Sequence, residues 1–298
     1  MTAASRRAAQ RRPRRSTAGS IAIIVFATLA AVGALAAVAV VGGYIVLSRG
    51  LEDPRALKEF PLQQESIVYD RTGQRELARF GELKREVVTF DEIPGILVDA
   101  TTAVEDKTFW VNSGFDPAAI VAAGVDALRG NARGASTITQ QLVRQRLLDE
   151  DLVGTRGRTV ERKLKEIIQS IRLTQTFPGE DGKREIITAY LNQNFYGNNS
   201  YGVKAAARSY FDKALDELTL SEVALLAALP QSPSNHDLVR NAVEDADGTL
   251  VVPDDTDIVR RRNQVLDLLA QPDRRPISGN EFSAAEIRAA MDEPVTLA

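Results

Sequence analysis

From Ser16 to Ser48 the chain runs for 33 residues without a charged side chain, and most of them are Ala, Val, Ile, Leu or Gly. No other feature narrows the fold as much. A helix needs ~20 apolar residues to cross the bilayer hydrocarbon with its own backbone groups satisfied, so residues 20–48 are read as a transmembrane anchor. A cleaved signal peptide is the rival reading, but its apolar region is only ~7–15 residues long and ends in a small-residue cleavage site. The length favours an uncleaved anchor. Arg6, Arg7, Arg11, Arg12, Arg14 and Arg15 precede it with no acid among the first fifteen residues. That asymmetry places residues 1–19 in the cytoplasm as a basic tail and everything from about Arg49 onward outside.

The average charge hides this polarity. The chain carries 37 Lys+Arg and 40 Asp+Glu; with the six leading arginines set aside, 31 basic residues face 40 acidic ones, net −9. A basic face for nucleic acid is therefore not expected. There is no Cys and a single His, His236, which excludes a thiol nucleophile, disulfides and Cys- or multi-His-ligated metals. No Ser-x-x-Lys and no Gly-x-Ser-x-Gly occurs, so the usual serine acyl-enzyme signatures are missing. Outside a bacterial membrane there is no ATP, which disfavours kinase or ATPase chemistry.

Residues 49–95 read as a juxtamembrane connector with a small β element: Ser66–Tyr69, the turn signal Asp70-Arg71-Thr72-Gly73, and a partner strand at Glu86–Phe90. After Pro94-Gly95 the pattern is helical, with 3.6-type apolar spacing over 96–106, 116–129, 137–149, 159–176, 183–192, 203–216, 220–229 and 257–270. Residues 241–257 hold six acids and no base and read as a solvated acidic loop, followed by a C-terminal helical linker to 298. The fold class is mainly α behind a single N-terminal transmembrane helix.

Three segments concentrate chemistry. Glu105-Asp106-Lys107-Thr108-Phe109-Trp110 sets two acids at the end of an apolar helix beside two aromatics. A carboxylate partly shielded from water suits proton transfer; a solvated helix end is the plainer reading. In Gly134–Arg144, Thr137 and Gln140 fit a capping box, and the polar density around that helix start suits phosphate or sugar hydroxyls. Arg162-Lys163-Leu164-Lys165-Glu166 lies on a helix with the apolar stripe Val160, Leu164, Ile167 and Ile171. Arg162 and Glu166 make an ordinary i,i+4 pair, yet Arg156, Arg158, Arg162, Lys163, Lys165 and Arg172 form a cationic cluster suited to a diphosphate. His236, in a Pro-rich loop, reads as packing or surface.

In this order the segments resemble the family 51 glycosyltransferases, the peptidoglycan polymerase domain of class A penicillin-binding proteins and of monofunctional polymerases, over about Ser66 to Pro294. Gly134–Gln141 is similar to that family's Gly-Gly-Ser-Thr-Ile-Thr-Gln-Gln, Thr101–Phe109 to its Glu-Asp-x-x-Phe, Arg162–Glu166 to its Arg-Lys-x-x-Glu, and Glu185–Asn192 to its Ile-Leu-x-x-Tyr-Leu-Asn helix. Tyr196–Phe211 and Glu222–Pro233 follow in family order. The resemblance implies a lysozyme-like glycosyltransferase domain over 96–240 with a membrane-facing amphipathic lobe. Its reaction joins lipid II to a growing glycan strand and releases undecaprenyl diphosphate. By position, Glu105 is the general base for the acceptor 4-hydroxyl. Glu166 is a second essential carboxylate, positioning donor, water or a divalent cation (Mg or Mn). Asp106, Ser136, Thr137, Gln140, Gln141, Arg144, Arg162 and Asn192 bind substrate, and Lys163 holds the diphosphate. The implied partners are lipid II, the glycan strand, the membrane and cell-division or elongation proteins. The implied location is a bacterial cell membrane, single-pass, with the catalytic domain outside.

The chain departs from the family pattern in three places. Asn112 stands where the family has His, Ala135 replaces the second Gly, and Thr176–Gly182 is longer than the usual turn. Phe282–Leu297 resembles the linker ahead of a transpeptidase domain, so the sequence reads as monofunctional or as part of a longer class A protein. Two other functions fit the residues: a lytic transglycosylase or lysozyme-like hydrolase, and a non-catalytic membrane-anchored cell-wall scaffold. The hydrolase has no diphosphate to hold, and the cluster around Arg162 and Lys163 argues against it.

Because the chain lacks Cys, its orientation can be read by single-cysteine labelling. Asp273→Cys should react with an impermeant thiol reagent on intact spheroplasts and Ser5→Cys should not. Labelling at position 5 alone would reverse the orientation.

Overall fold

The computed structural model describes residues 17–59, 62–81, 83–130, 134–153 and 160–298 of the 298-residue chain. The six leading arginines, Arg156 and Arg158 lie outside the described residues. Contacts divide the chain into two compact units, Met1–Arg49 and Gly50–Ala298. The first holds one helix, α1 (Thr17–Ser48), in which Ile21–Ser48 is long and apolar enough to cross a membrane. Its 28 residues extend about 42 Å at the helical rise, against ~30 Å of hydrocarbon.

The second unit is mostly helical. Its main helices are α2 (Gly95–Glu105), α3 (Pro117–Leu128), α4 (Ile138–Arg146), α5 (Val160–Thr176), α6 (Gly179–Gln193), α7 (Val203–Phe211), α8 (Leu220–Ala228), α9 (Asp257–Leu269) and α10 (Ala284–Asp292). Helices α2, α8 and α9 pack on one another, and α4 packs on α5 and α6. Leu97, Val98, Ile138, Leu142, Ile186, Ile187, Leu225 and Leu266 belong to the one apolar core they share.

Local chemistry explains the boundaries. Thr137 caps α4 as expected: its hydroxyl accepts from Gln140 N at 3.2 Å, while the Gln140 side chain accepts from Thr137 N at 3.2 Å. Helix α6 begins four residues before the expected position 183, because the long Gly179–Gly182 turn is itself helical and carries Glu180 and Asp181 at the positive end of the helix dipole. Helix α7 stops at Phe211, short of the expected 216, where Asp212 takes a left-handed conformation.

The β structure differs from the expectation. Strand β1 (Ser66–Tyr69) pairs antiparallel with β2 (Glu76–Phe80), not with Glu86–Phe90. Asp70 Oδ1 accepts from Thr72 N, Thr72 Oγ1 and Gln74 N, folding the turn back after four residues. The next strand, β3 (Lys84–Arg85), runs parallel to β4 (Ser200–Tyr201). The acidic segment is also not all loop: β5 (Val243–Glu244) pairs with β6 (Leu250–Val252), which pairs with β7 (Val295–Thr296). Val252 and Val295 are buried there, so apolar burial fixes a strand that the surrounding acids mask in the sequence.

Helix α5 departs in part from the expected face: Ile167 and Ile171 are half-buried, but the start of the stripe is exposed. Val160 is 76% exposed and Leu164 42% exposed, whereas Glu166, Gln169, Ser170 and Leu173 are buried. Apolar spacing identifies residues that share a face, not which face turns inward. The inward face here carries the polar residues.

The segment 107–116 closes against α5 at Gly114, whose φ is +95°. A Cβ there would lie 2.3 Å from Ser170 O. Gly114→Ala should therefore cost about 2–5 kcal/mol through overpacking and backbone strain, measured by thermal or denaturant melting. A melt equal to wild type would show that the 107–116 segment is not held against α5.

Candidate active site

The last residue of α2 is Glu105, whose side chain is 9% exposed. Gln141 Nε2 from α4 donates to its Oε2 at 2.9 Å, and Arg261 Nη2 from α9 donates to its Oε1 at 2.9 Å. Tyr190 of α6 donates its hydroxyl to Gln141 Oε1 at 3.2 Å, which turns the Gln141 amide so that its NH2 faces the carboxylate. Burial, and after it the Glu105 charge, push the Tyr190 phenol well above its ordinary range, so it stays a donor. Arg261 is steadied in turn by Nε donating to Ala228 O at 3.2 Å. The carboxylate is thus oriented by two independent helices and still has lone pairs free to accept a proton.

Asp106 has different partners. It is buried, and its carboxylate accepts from Asn112 Nδ2 at 3.0 and 3.1 Å, from Thr108 Oγ1 at 3.2 Å and from Ile138 N at 3.2 Å. Burial pushes its carboxyl up, and these hydrogen bonds oppose the shift. Asn112, in the place of the family's His, thus supplies the donor that Asp106 needs.

Across the site, Lys163 of α5 donates to Ser136 Oγ at 2.8 Å, Gln140 Oε1 at 3.1 Å and Glu166 Oε2 at 3.3 Å. Burial draws its ammonium below the usual lysine range, opposed by Glu166 and reinforced by the nearby charges of Arg144 and Arg162. Glu166 is fully buried, with Arg162 Nη1 3.3 Å from Oε1 and Lys163 on Oε2. This donor set suits a carboxylate that holds two cations in place. It does not fit a divalent ion, since two cations already flank the carboxylate. Among the described residues no group of three or more His, Cys, Asp or Glu could hold a metal.

A cleft of about 500 Å³ opens at this junction, lined by Glu105, Asp106, Ser136 and Thr137 with Ala119 and Ala122 of α3. Glu105, Asp106, Ser136 and Thr137 line the cleft itself, and hydrogen bonds, ion pairs and nearby charge bring Gln140, Gln141, Arg144, Arg162, Lys163 and Glu166 of α4 and α5 up behind them. Asn192 is not among them. Its amide is spent on Val88, accepting from N at 2.9 Å and donating to O at 2.8 Å. It lines a separate apolar hollow of about 360 Å³ with Leu57, Val88 and Phe90. His236 is buried, and burial followed by the Arg261 charge lowers its imidazole below the usual range.

Arg261 and Tyr190 were not singled out in the sequence as site residues. A signal existed for α9: Ile258, Arg262, Val265 and Leu269 share its buried stripe, and a charge there asks for a partner. Arg262 finds it in Met291 O, Glu293 O and Ser221 Oγ. The neighbouring Arg261 carries no such mark.

A family model described as Transglycosylase matches residues 73–269. The chain belongs to that transglycosylase family. It is 42% identical over 194 residues to Penicillin-binding protein 1A of Aquifex aeolicus (strain VF5), covering 64% of this chain and 25% of the relative. With Penicillin-binding protein 1A of Escherichia coli (strain K12) it shares 41% identity over 202 residues, 67% of this chain and 22% of the relative. The chain thus spans about a quarter of the length of the curated relatives it matches. A crystal structure of Penicillin-Binding Protein 1A from Haemophilus influenzae aligns with a TM-score of 0.39 and 24% identity, over 80% of this chain and 22% of that chain.

Arg261→Met removes one of the two donors that orient Glu105. Turnover should fall about tenfold to a hundredfold, as for a misplaced reacting group, and Arg261→Lys should recover part of it. Unchanged turnover in Arg261→Met would show that Gln141 alone orients the carboxylate.

Proposed function

We propose that the chain is a peptidoglycan glycosyltransferase, anchored by α1 with its second unit outside the cytoplasmic membrane. It polymerises lipid II into glycan strands and releases undecaprenyl diphosphate. The observation that carries this reading is a single cleft with the oriented Glu105 carboxylate on its wall and Ser136, bonded to Lys163, on the same lining. Membership of the transglycosylase family supports it.

The acceptor 4-hydroxyl attacks the donor's anomeric carbon, and the bond from that carbon to the diphosphate oxygen breaks. The hydroxyl proton passes to Glu105, which has no other task in the cleft. Negative charge grows on the departing diphosphate, where Lys163, with Arg144 and Arg162 nearby, stabilises it more in the transition state than in the ground state. Glu166 holds Lys163 and Arg162 at the site rather than reacting itself. Exposed apolar residues on α3, among them Val121 and Leu128, suit a substrate whose polyprenyl tail stays in the bilayer. A hydrolase of similar fold has no leaving diphosphate, so it has no use for the cations on α5.

Glu105→Gln keeps the shape and most of the hydrogen bonding but removes the base. Polymerisation of labelled lipid II, resolved on gels, should fall by ~10²-fold or more while lipid II binding persists. Lys163→Ala should weaken polymerisation strongly, and Lys163→Arg should retain more activity than Lys163→Ala. Full activity in Glu105→Gln, with a wild-type melt, would sink the general-base assignment.

A further inference from the structure

We propose that Lys183 is a positioning residue for this glycosyl transfer, acting through Asn112 and Asp106 to hold the start of α4 against the end of α2. The proposal rests on the function proposed above, but it has a structural readout of its own.

Lys183 lies on α6 and is 4% exposed. It lines a recess with Trp110, Asn112 and Thr174 and does not line the catalytic cleft. Its ammonium sits 4.8 Å from the centre of the Phe109 ring and donates to Asn112 Oδ1 at 3.2 Å. Asn112 is the joint. The same Oδ1 accepts from Gly114 N at 3.0 Å, and Nδ2 donates to both oxygens of Asp106. Asp106 then accepts from Ile138 N in the first turn of α4, and Gly114 O accepts from Thr137 Oγ1 at 2.7 Å. Three successive hydrogen bonds thus run from Lys183 to a backbone amide three residues from Gln141, the partner of Glu105.

Charge gives the relay its direction. Asp106 is an anion held away from water, and Lys183 is a cation whose charge acts on it across Asn112. Around Lys183 the other charged group in the recess is Glu180 of the same helix, which is paired with Arg184 at 2.6 Å. Trp110 and Thr174, with Pro276 and Ile277 from the C-terminal segment, complete the wall and carry no charge. Burial draws the Lys183 ammonium down to about 8, with Asp106 opposing. A neutral Lys183 leaves Asp106 without its countercharge and loosens the relay.

The sign of the linkage separates positioning from packing. The folded state favours neutral Lys183, so this group's contribution to stability is present above the unfolded lysine range and is lost as pH falls through about 8. Stability relative to Lys183→Met therefore rises as pH climbs from about 8, while turnover, which needs the charge, falls over the same range. A lysine that only fills space moves the first quantity and not the second.

The test uses the full chain in detergent micelles with lipid II, following kcat and KM from pH ~6.5 to ~9.5 together with amide exchange of residues 137–142. The wild type should lose kcat through pH ~8 with KM steady within about twofold, and Lys183→Arg should carry that limb about one pH unit or more higher. Lys183→Met should show kcat about tenfold lower near neutrality, no limb near pH 8, and about tenfold faster exchange in the first turn of α4. A limb near pH 8 that persists in Lys183→Met or stays in place in Lys183→Arg overturns the proposal, as does wild-type exchange at 137–142 in Lys183→Met. If Lys183→Met does not fold, the wild-type and Lys183→Arg profiles decide. If the wild type makes no glycan, the proposed function fails and the exchange comparison still decides this role.

Discussion

Asp106 holds a carboxylate away from water, and the second unit is organised around satisfying it. An isolated buried carboxylate is costly, so its four hydrogen bonds from Asn112, Thr108 and Ile138 are a condition of folding as well as a consequence of it. Through them the end of α2, the 107–116 segment and the start of α4 are joined at one residue. Glu105, its neighbour, then has a fixed outlook into the cleft. Gly114 lets the segment touch α5 closely, which brings Glu166 and Lys163 opposite Ser136 and Gln140.

The two acids of this dipeptide divide the labour by their partners. Asp106 also lines the cleft but spends its oxygens on structure. Glu105 faces the cleft, with two donors to orient it and lone pairs left over for chemistry. A comparable division holds on α5, where Glu166 is fully enclosed and Lys163 reaches the lining of the cleft. The buried carboxylate is retained because removing it would leave two cations facing each other with nothing between them.

Much of this frame was legible in the sequence. The helices from α2 to α9 follow apolar spacing such as Ile186, Ile187, Tyr190 and Leu191, and the Thr137–Gln140 capping box marks the start of α4. Glu105, Gln141, Ser136, Lys163 and Glu166 were named from motif order, and they meet. What failed has physical causes. Periodicity cannot tell an inward face from an outward one, so the stripe Val160, Leu164, Ile167 and Ile171 does not reveal that Glu166, Gln169 and Ser170 are the more deeply buried residues of α5. Asn192 matched a motif, yet a side-chain amide in reach of an unpaired backbone pair such as that of Val88 is used for structure. Arg261 reaches Glu105 from 156 residues away, a pairing that no local pattern encodes.

The central claim is that lipid II occupies the cleft lined by the end of α2, the start of α3 and residues 134–137, which Lys163 of α5 reaches through Ser136. Its most direct test is amide hydrogen exchange on the full-length chain carrying Glu105→Gln, which binds lipid II without consuming it, compared with and without that ligand. Protection confined to residues 101–106, 134–145 and 160–170 is the result this account predicts. Protection around Val88 and Asn192 instead, or no protection at all under conditions where lipid II is bound, would contradict it.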